Sequence, residues 1–141
     1  MSNVAIVYWS ATGNTEAMAN AVADGAKENG ADVTMFDAGD FNAGMINDFD
    51  AIGFGCPAMG SEQLEEDLFE PLFEDCQTKL GDKKVVIFGS YDWGDGEWMR
   101  EWETRCKDNN INLVSPPLIA HMMKQLQIAS QSEEHSLNKH I

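Results

Sequence analysis

Val4-Ala5-Ile6-Val7-Tyr8-Trp9, followed by Ser10-Ala11-Thr12-Gly13-Asn14-Thr15, is the stretch that decides the fold. Its first six residues form a nearly continuous apolar run, the pattern of a strand covered on both faces. The period then changes. Met18, Val22 and Ala26 recur every four residues up to Asn29-Gly30, which reads as a helix with a glycine stop at its C-terminus. A second strand-like segment occupies residues 31–36, so strand, loop, helix and strand follow one another as a βαβ unit.

The same alternation continues downstream. Residues 41–46 predict a short helix, and residues 51–55 a compact apolar strand. Beyond Cys56-Pro57-Ala58-Met59-Gly60, a helical stripe over residues 64–80 carries Leu64, Leu68, Leu72 and Phe73. Pro71 inside that stripe should kink the helix or split it in two. Val85-Val86-Ile87-Phe88 is the next buried strand, and Trp98, Met99, Trp102 and Cys106 mark another helix. Residues 111–119 read as a final strand, whose Pro116-Pro117 is tolerable only at a sheet edge. The expectation is a single domain over residues 1–141, an α/β doubly wound fold of five parallel strands with helices on both faces. Ligands of such folds bind beyond the carboxyl ends of the strands, where the strand order reverses.

Composition narrows the partners. With 24 acids against 9 Lys plus Arg, the chain of 141 residues carries a formal net charge of −15. Such a field repels nucleic acid and anionic lipid, and attracts basic protein surfaces. Cys56, Cys76 and Cys106 include no C-x-x-C pair, and His121, His135 and His140 lie far from them, so no metal site is expected. The N-terminus lacks a basic region followed by an apolar run, and no stretch reaches ~18 consecutive apolar residues. A reduced, cytoplasmic chain without a membrane segment is therefore expected.

Three loops leave strand ends in an unusual way. The first, residues 10–15, gathers three hydroxyls, a glycine and an asparagine where a helix begins. Free N–H groups at a helix N-terminus hold a phosphate, although one such hydroxyl is also an ordinary N-cap. The loop has no lysine and no G-x-x-x-x-G-K-[ST] pattern, which suits a terminal phosphate monoester held by neutral hydrogen bonds. The second is Pro57-Ala58-Met59-Gly60-Ser61-Glu62, where Met59 is either core filler or a ligand contact. The third, residues 90–96, surrounds Trp93 with Asp92, Gly94, Asp95 and Gly96, so its indole has little core to join. Trp98 and Trp102, four apart on a helix, read as packing residues instead.

Together these loops resemble those of the flavodoxins, and specifically the short-chain, anaerobic-bacterial type. Ser10-Ala11-Thr12-Gly13-Asn14-Thr15 matches the family's T/S-x-T-G-N-T phosphate loop. Cys56-Pro57-Ala58-Met59-Gly60 and Gly89-Ser90-Tyr91-Asp92-Trp93-Gly94 resemble its two flavin loops. The likeness covers residues 4–119, and the last strand carries no long insertion. It implies the strand order 2-1-3-4-5 and one non-covalently bound FMN. It also implies a low-potential, one-electron carrier, not an enzyme. The carrier would be a monomer working between semiquinone and hydroquinone and serving basic-surfaced redox enzymes. By resemblance, Ser10, Ala11, Thr12, Gly13, Asn14 and Thr15 form the phosphate loop. Pro57, Ala58, Met59, Gly60 and Glu62 belong to the first flavin loop, and Ser90, Tyr91, Asp92, Trp93 and Gly94 to the second. Met59 and Trp93 would sandwich the isoalloxazine ring, Glu62 would accept from N3–H, and backbone groups around Ser90 and Gly94 would reach the pyrimidine edge. Gly60 would be the redox-tuning residue, its carbonyl accepting from N5–H after one electron arrives. One such net bond, ~1 kcal/mol, shifts a one-electron potential by roughly 40 mV. Acids about 10 Å away contribute ~1.7 kcal/mol each before screening.

The acids cluster. Glu62, Glu65, Glu66, Asp67, Glu70, Glu74 and Asp75 crowd one helical region, and Asp92, Asp95 and Glu97 flank Trp93. They are either a solvated face or a rim on the flavin edge that steers basic partners. Residues 120–141 depart from the family, which has a well-formed amphipathic helix after the last strand. Two other classes share the fold. An FMN-dependent reductase needs room over the flavin, which Trp93 would occupy. A phospho-acceptor signalling domain needs paired acids after the first strand, where this chain has Tyr8-Trp9-Ser10.

Overall fold

In a computed structural model of the chain, residues 2–10, 13–59, 63–91 and 96–120 are described. Strand β1 (Asn3–Tyr8) leads through helix α1 (Asn14–Glu28) to β2 (Asp32–Asp37). Strand β3 (Ala51–Gly55), helix α2 (Phe69–Cys76), strand β4 (Lys84–Ser90) and helix α3 (Glu97–Asp108) follow, before β5 (Asn112–Leu113) and β6 (Leu118–Ala120). The pairings between the named strands are all parallel, and the order is β2-β1-β3-β4-β5, as the resemblance implied, with β6 also pairing β4.

The side-chain alternation of β1 shows why its run is continuous rather than two-sided. Val4 and Ile6 face α1, packing with Met18, Ala19, Val22, Ala23 and Ala26. Ala5 and Val7 face the opposite layer, where α2 and α3 contribute Phe69, Phe73, Trp98 and Trp102. In that layer Phe69 and Phe73 stack at an interplanar angle of 10°, and Trp102 stands edge-on to both at 85° and 86°. Each helix end next to a strand is closed locally. Gly30 at φ 88° ends α1, with Ala31 N–H donating to Ala26 O at 3.0 Å. Asn110 at φ 57° closes α3 in the same way, with Ile111 N–H donating to Cys106 O at 2.9 Å.

Three sequence expectations need correction. The short helix expected at 41–46 is two 3-10 turns, Ala38–Asp40 and Ala43–Asp48, because Asp37 and Asn42 side chains take the Gly39 and Gly44 N–H groups at 3.1 and 2.9 Å. The long helix over 64–80 is only α2, and Pro71 sits in its first turn, where its missing N–H would have no intrahelical partner. It therefore kinks nothing. The final strand is broken: β5 and β6 share one edge of β4, separated by residues 114–117 with Pro116-Pro117 inside the break. That is the edge position the prolines required.

Candidate functional site

The carboxyl ends of β1, β3 and β4 are stitched together beyond the sheet proper. Trp9 N–H donates to Gly55 O at 3.0 Å, Cys56 N–H to Phe88 O at 3.1 Å, and Ala58 N–H to Ser90 O at 3.0 Å. The ladder thus runs three residues past β3 and delivers Pro57, Ala58 and Met59, all half-buried, beside Ser90 and Tyr91. Met59 and Gln63 then exchange N–H donors with each other's carbonyls at 2.9 and 3.1 Å.

Glycine makes the approach possible. A Cβ on Gly89 would lie 2.1 Å from the Cys56 carbonyl oxygen and 3.2 Å from Trp98 Cζ2. Without one, the Trp98 indole lies against the strand and its Nε1–H donates to Cys56 O at 3.3 Å. Tyr91 covers Trp98 with ring centroids 5.4 Å apart. Trp98 and Trp102 are 1% and 2% exposed, the packing role expected of them.

The first loop meets the same place from β1. Gly13 at φ 92° turns the chain into α1, a conformation that costs a side-chain-bearing residue about 1–2 kcal/mol. Ser10 Oγ accepts from Gly13 N–H at 3.1 Å and from Glu16 N–H at 3.3 Å. The Asn14 and Thr15 N–H groups bond to no other described residue. Thr15, 1% exposed, shares a 3.0 Å hydroxyl–hydroxyl bond with Ser90, itself 8% exposed. This buried contact joins the start of α1 to the end of β4, so Ser10, Gly13, Asn14, Thr15, Met59, Ser90 and Tyr91 come together. Neutral hydroxyls and N–H donors at a helix N-terminus fit a phosphate monoester. Tyr8 borders the site with its hydroxyl on Glu16 at 3.5 Å, and burial, then Glu16 and Asp37, raises its pKa.

Ala11, Thr12, Gly60, Glu62, Asp92, Trp93 and Gly94, and the atypical segment 121–141, lie outside the described residues. The acidic run is not uniform. Glu65 is 6% exposed, and its carboxylate accepts the Asp67, Leu68 and Phe69 N–H groups at 2.7, 2.8 and 2.9 Å. Burial pushes its pKa up, but the three donors outweigh burial and hold it below the usual carboxylate range. It caps α2 and is no part of a solvated rim. Glu70 is held by Arg105 in a two-pronged pair at 2.7 Å on each side. The sequence reading missed the cap, although a carboxylate four residues before the first helical Phe69 was its signal.

With this geometry in hand, the family model for flavodoxins matches residues 6–135. The chain belongs to the flavodoxin family. It is 48% identical over 119 residues to the flavodoxin of Megasphaera elsdenii, covering 84% of this chain and 87% of that protein. To the flavodoxin of Clostridium beijerinckii it is 49% identical over 114 residues, covering 81% and 83%. The solution structure of two-electron reduced Megasphaera elsdenii flavodoxin superposes with a TM-score of 0.87 at 43% identity, covering 96% of this chain and 98% of that one. Flavodoxins bind FMN and carry electrons rather than turn over a substrate. The four residues between β5 and β6 leave no room for a long insertion, so the chain is a flavodoxin of the short-chain type. No described helix is long and apolar enough to cross a membrane.

Proposed function

We propose that this flavodoxin is a low-potential, monomeric, cytoplasmic one-electron carrier whose FMN sits beyond the carboxyl ends of β1, β3 and β4. The observation that carries this reading is the buried Thr15–Ser90 hydroxyl pair, which gathers the phosphate-type loop and a flavin-type loop at one point. When bound, FMN would supply the one-electron redox chemistry. The chain's own residues bind and orient it. Ser10, Gly13, Asn14 and Thr15, with Ala11 and Thr12, would hold the phosphate through hydroxyls and N–H donors. Met59 from one loop and Trp93 from the other would flank the ring, with Pro57 and Ala58 shaping the approach to Met59. Glu62, and backbone groups of Ser90, Tyr91, Asp92 and Gly94, would satisfy the polar edge of the ring. Gly60 is the residue whose carbonyl can turn without a side chain in the way.

The net charge of −15 opposes adding negative charge to the site and so lowers the second potential. Exposed acids such as Glu66 and Asp67 would receive basic-surfaced electron donors and acceptors. The test is a visible spectrum during stepwise anaerobic reduction of the purified protein. Yellow flavin bands passing through a blue species before bleaching support the carrier. Bleaching in one step, with turnover of a nicotinamide substrate, would place the chain among reductases. A colourless protein that takes up no added FMN refutes the reading.

A further inference from the structure

Residues 56–59 leave the end of β3, residues 63–65 lead into the turn that opens α2, and these two described pieces are fastened together. Cys56 Sγ accepts the Glu65 N–H at 3.4 Å. Cys56 itself is fixed on two sides, by its N–H on Phe88 O at 3.1 Å and by its carbonyl under Trp98 Nε1–H at 3.3 Å. At the other end the Glu65 carboxylate spends both oxygens on backbone donors, Oε2 on Asp67 and Oε1 on Leu68 and Phe69. Inside this closure lies the second one, between Met59 and Gln63. Leu64 and Glu65, which follow Gln63, are 7% and 6% exposed.

A buried carboxylate engaged by three N–H donors is a stiff post, because any rotation gives up charge-assisted bonds that water does not replace. A cap for α2 alone would not require the same residue's N–H to be tied back to the end of β3. We infer that Glu65 is a positioning residue for the cofactor loop, its carboxylate fixing the loop's exit to α2 and its N–H fixing that exit to Cys56, so that Met59 and Gln63 are in place before FMN arrives. The inference rests on the carrier reading above, which puts Met59 against the flavin. Order present before binding need not be created on binding, so loosening the post lowers affinity.

The test titrates full-length apoprotein with FMN, following flavin fluorescence, and measures amide exchange at Met59 and Gln63 in the same apoprotein. Glu65→Gln keeps the size but puts an amide NH2 among N–H donors. Its FMN dissociation constant should rise at least tenfold, and both amides should exchange at least tenfold faster. Leu80→Ala, a core truncation before the amino end of β4, should lose stability while both readouts stay within twofold of the parent. Should Glu65→Gln not fold, Cys56→Ala decides: it removes the sulfur that accepts from Glu65 N–H and donates to Pro57 O at 3.5 Å, leaves the Glu65 carboxylate in place, and should weaken FMN about threefold. A folded Glu65→Gln, or a folded Cys56→Ala, with parental affinity and exchange shows that Glu65 is a helix cap and nothing more. Parent protein that takes up no FMN is a different result, which removes the carrier reading before any variant is compared.

Discussion

Replacing Gly89 by alanine should be among the most damaging single-methyl changes in this protein. The new Cβ would sit 2.1 Å from the Cys56 carbonyl oxygen, a backbone atom, and 3.2 Å from Trp98 Cζ2. Relief requires roughly 1 Å or more of separation. Cys56 cannot supply it freely, because its N–H is on Phe88 O at 3.1 Å and Ala58 N–H is on Ser90 O at 3.0 Å. Moving the strand gives up one of these bonds, at about 1 kcal/mol, and the Trp98 indole bond, which leaves a buried donor unpaired at about 1–3 kcal/mol. Overpacking adds about 1–3 kcal/mol. The total is about 3–7 kcal/mol, a large share of the 5–15 kcal/mol typical of a domain. Urea unfolding of the apoprotein is the assay, since bound ligand would mask part of the loss. With a slope of about 2 kcal/mol/M the midpoint should fall by about 1.5–3.5 M. Gly13→Ala is the comparison: no described residue lies within 4 Å of its Cβ, and the backbone at φ 92° resists. That strain costs about 1–2 kcal/mol. A Gly89→Ala protein that loses less than 1 kcal/mol, or less than Gly13→Ala, would refute the steric argument.

Other outcomes follow from single contacts. Because the folded pKa of Glu65 is lowered, its stabilisation is complete above the unfolded carboxylate value of about 4.3 and is lost as pH falls through the folded value. Glu65→Gln should therefore cost about 1–2 kcal/mol in urea at neutral pH, and the gap from the parent should close in acid; a gap constant with pH contradicts the cap. Burial raises the thiols of Cys56, Cys76 and Cys106 to about 12, 11 and 12, so native protein should resist iodoacetamide at pH ~8 and take up label only in urea. Rapid labelling of folded protein would show that the thiols are not buried as described. Arg105→Met should cost about 1–2 kcal/mol through loss of Glu70, of Gln77 Oε1 at 2.6 Å and of the Phe73 ring at 5.1 Å. The loss should shrink as salt rises, because the pair is partly exposed; a loss unaffected by salt would assign the effect to packing.

Sequence was a good guide wherever one period ruled a segment. The apolar run of β1 and the four-residue stripe of α1 needed no tertiary information, and the order of elements followed from them. It misled where a side chain competes with the backbone. Asp37 and Asn42 turn a would-be helix into 3-10 turns, and Glu65 starts α2 later than its hydrophobic stripe suggests. Charge type carries no sign of burial, so sequence alone places Glu65 with the exposed acids. Neither the Thr15–Ser90 bond nor the Cys56–Glu65 bond could be read in the chain, since each joins residues that only the folded topology makes neighbours. The approach of β4 to Cys56 was likewise invisible, although Gly89 was its trace.

The break between β5 and β6 bears on how the protein behaves in crowded solution. An uninterrupted outer strand is a template on which another chain can lay its own backbone. Here the β4 side of the sheet is finished by strands of two and three residues with Ser115-Pro116-Pro117 in the gap, and proline offers no N–H to an incoming strand. The opposite outer strand, β2, begins and ends on exposed aspartates, Asp32 and Asp37. A second molecule approaching that side would have to bring its own carboxylates up against them. Both flanks thus work against strand addition, the first step by which sheet proteins grow into fibres.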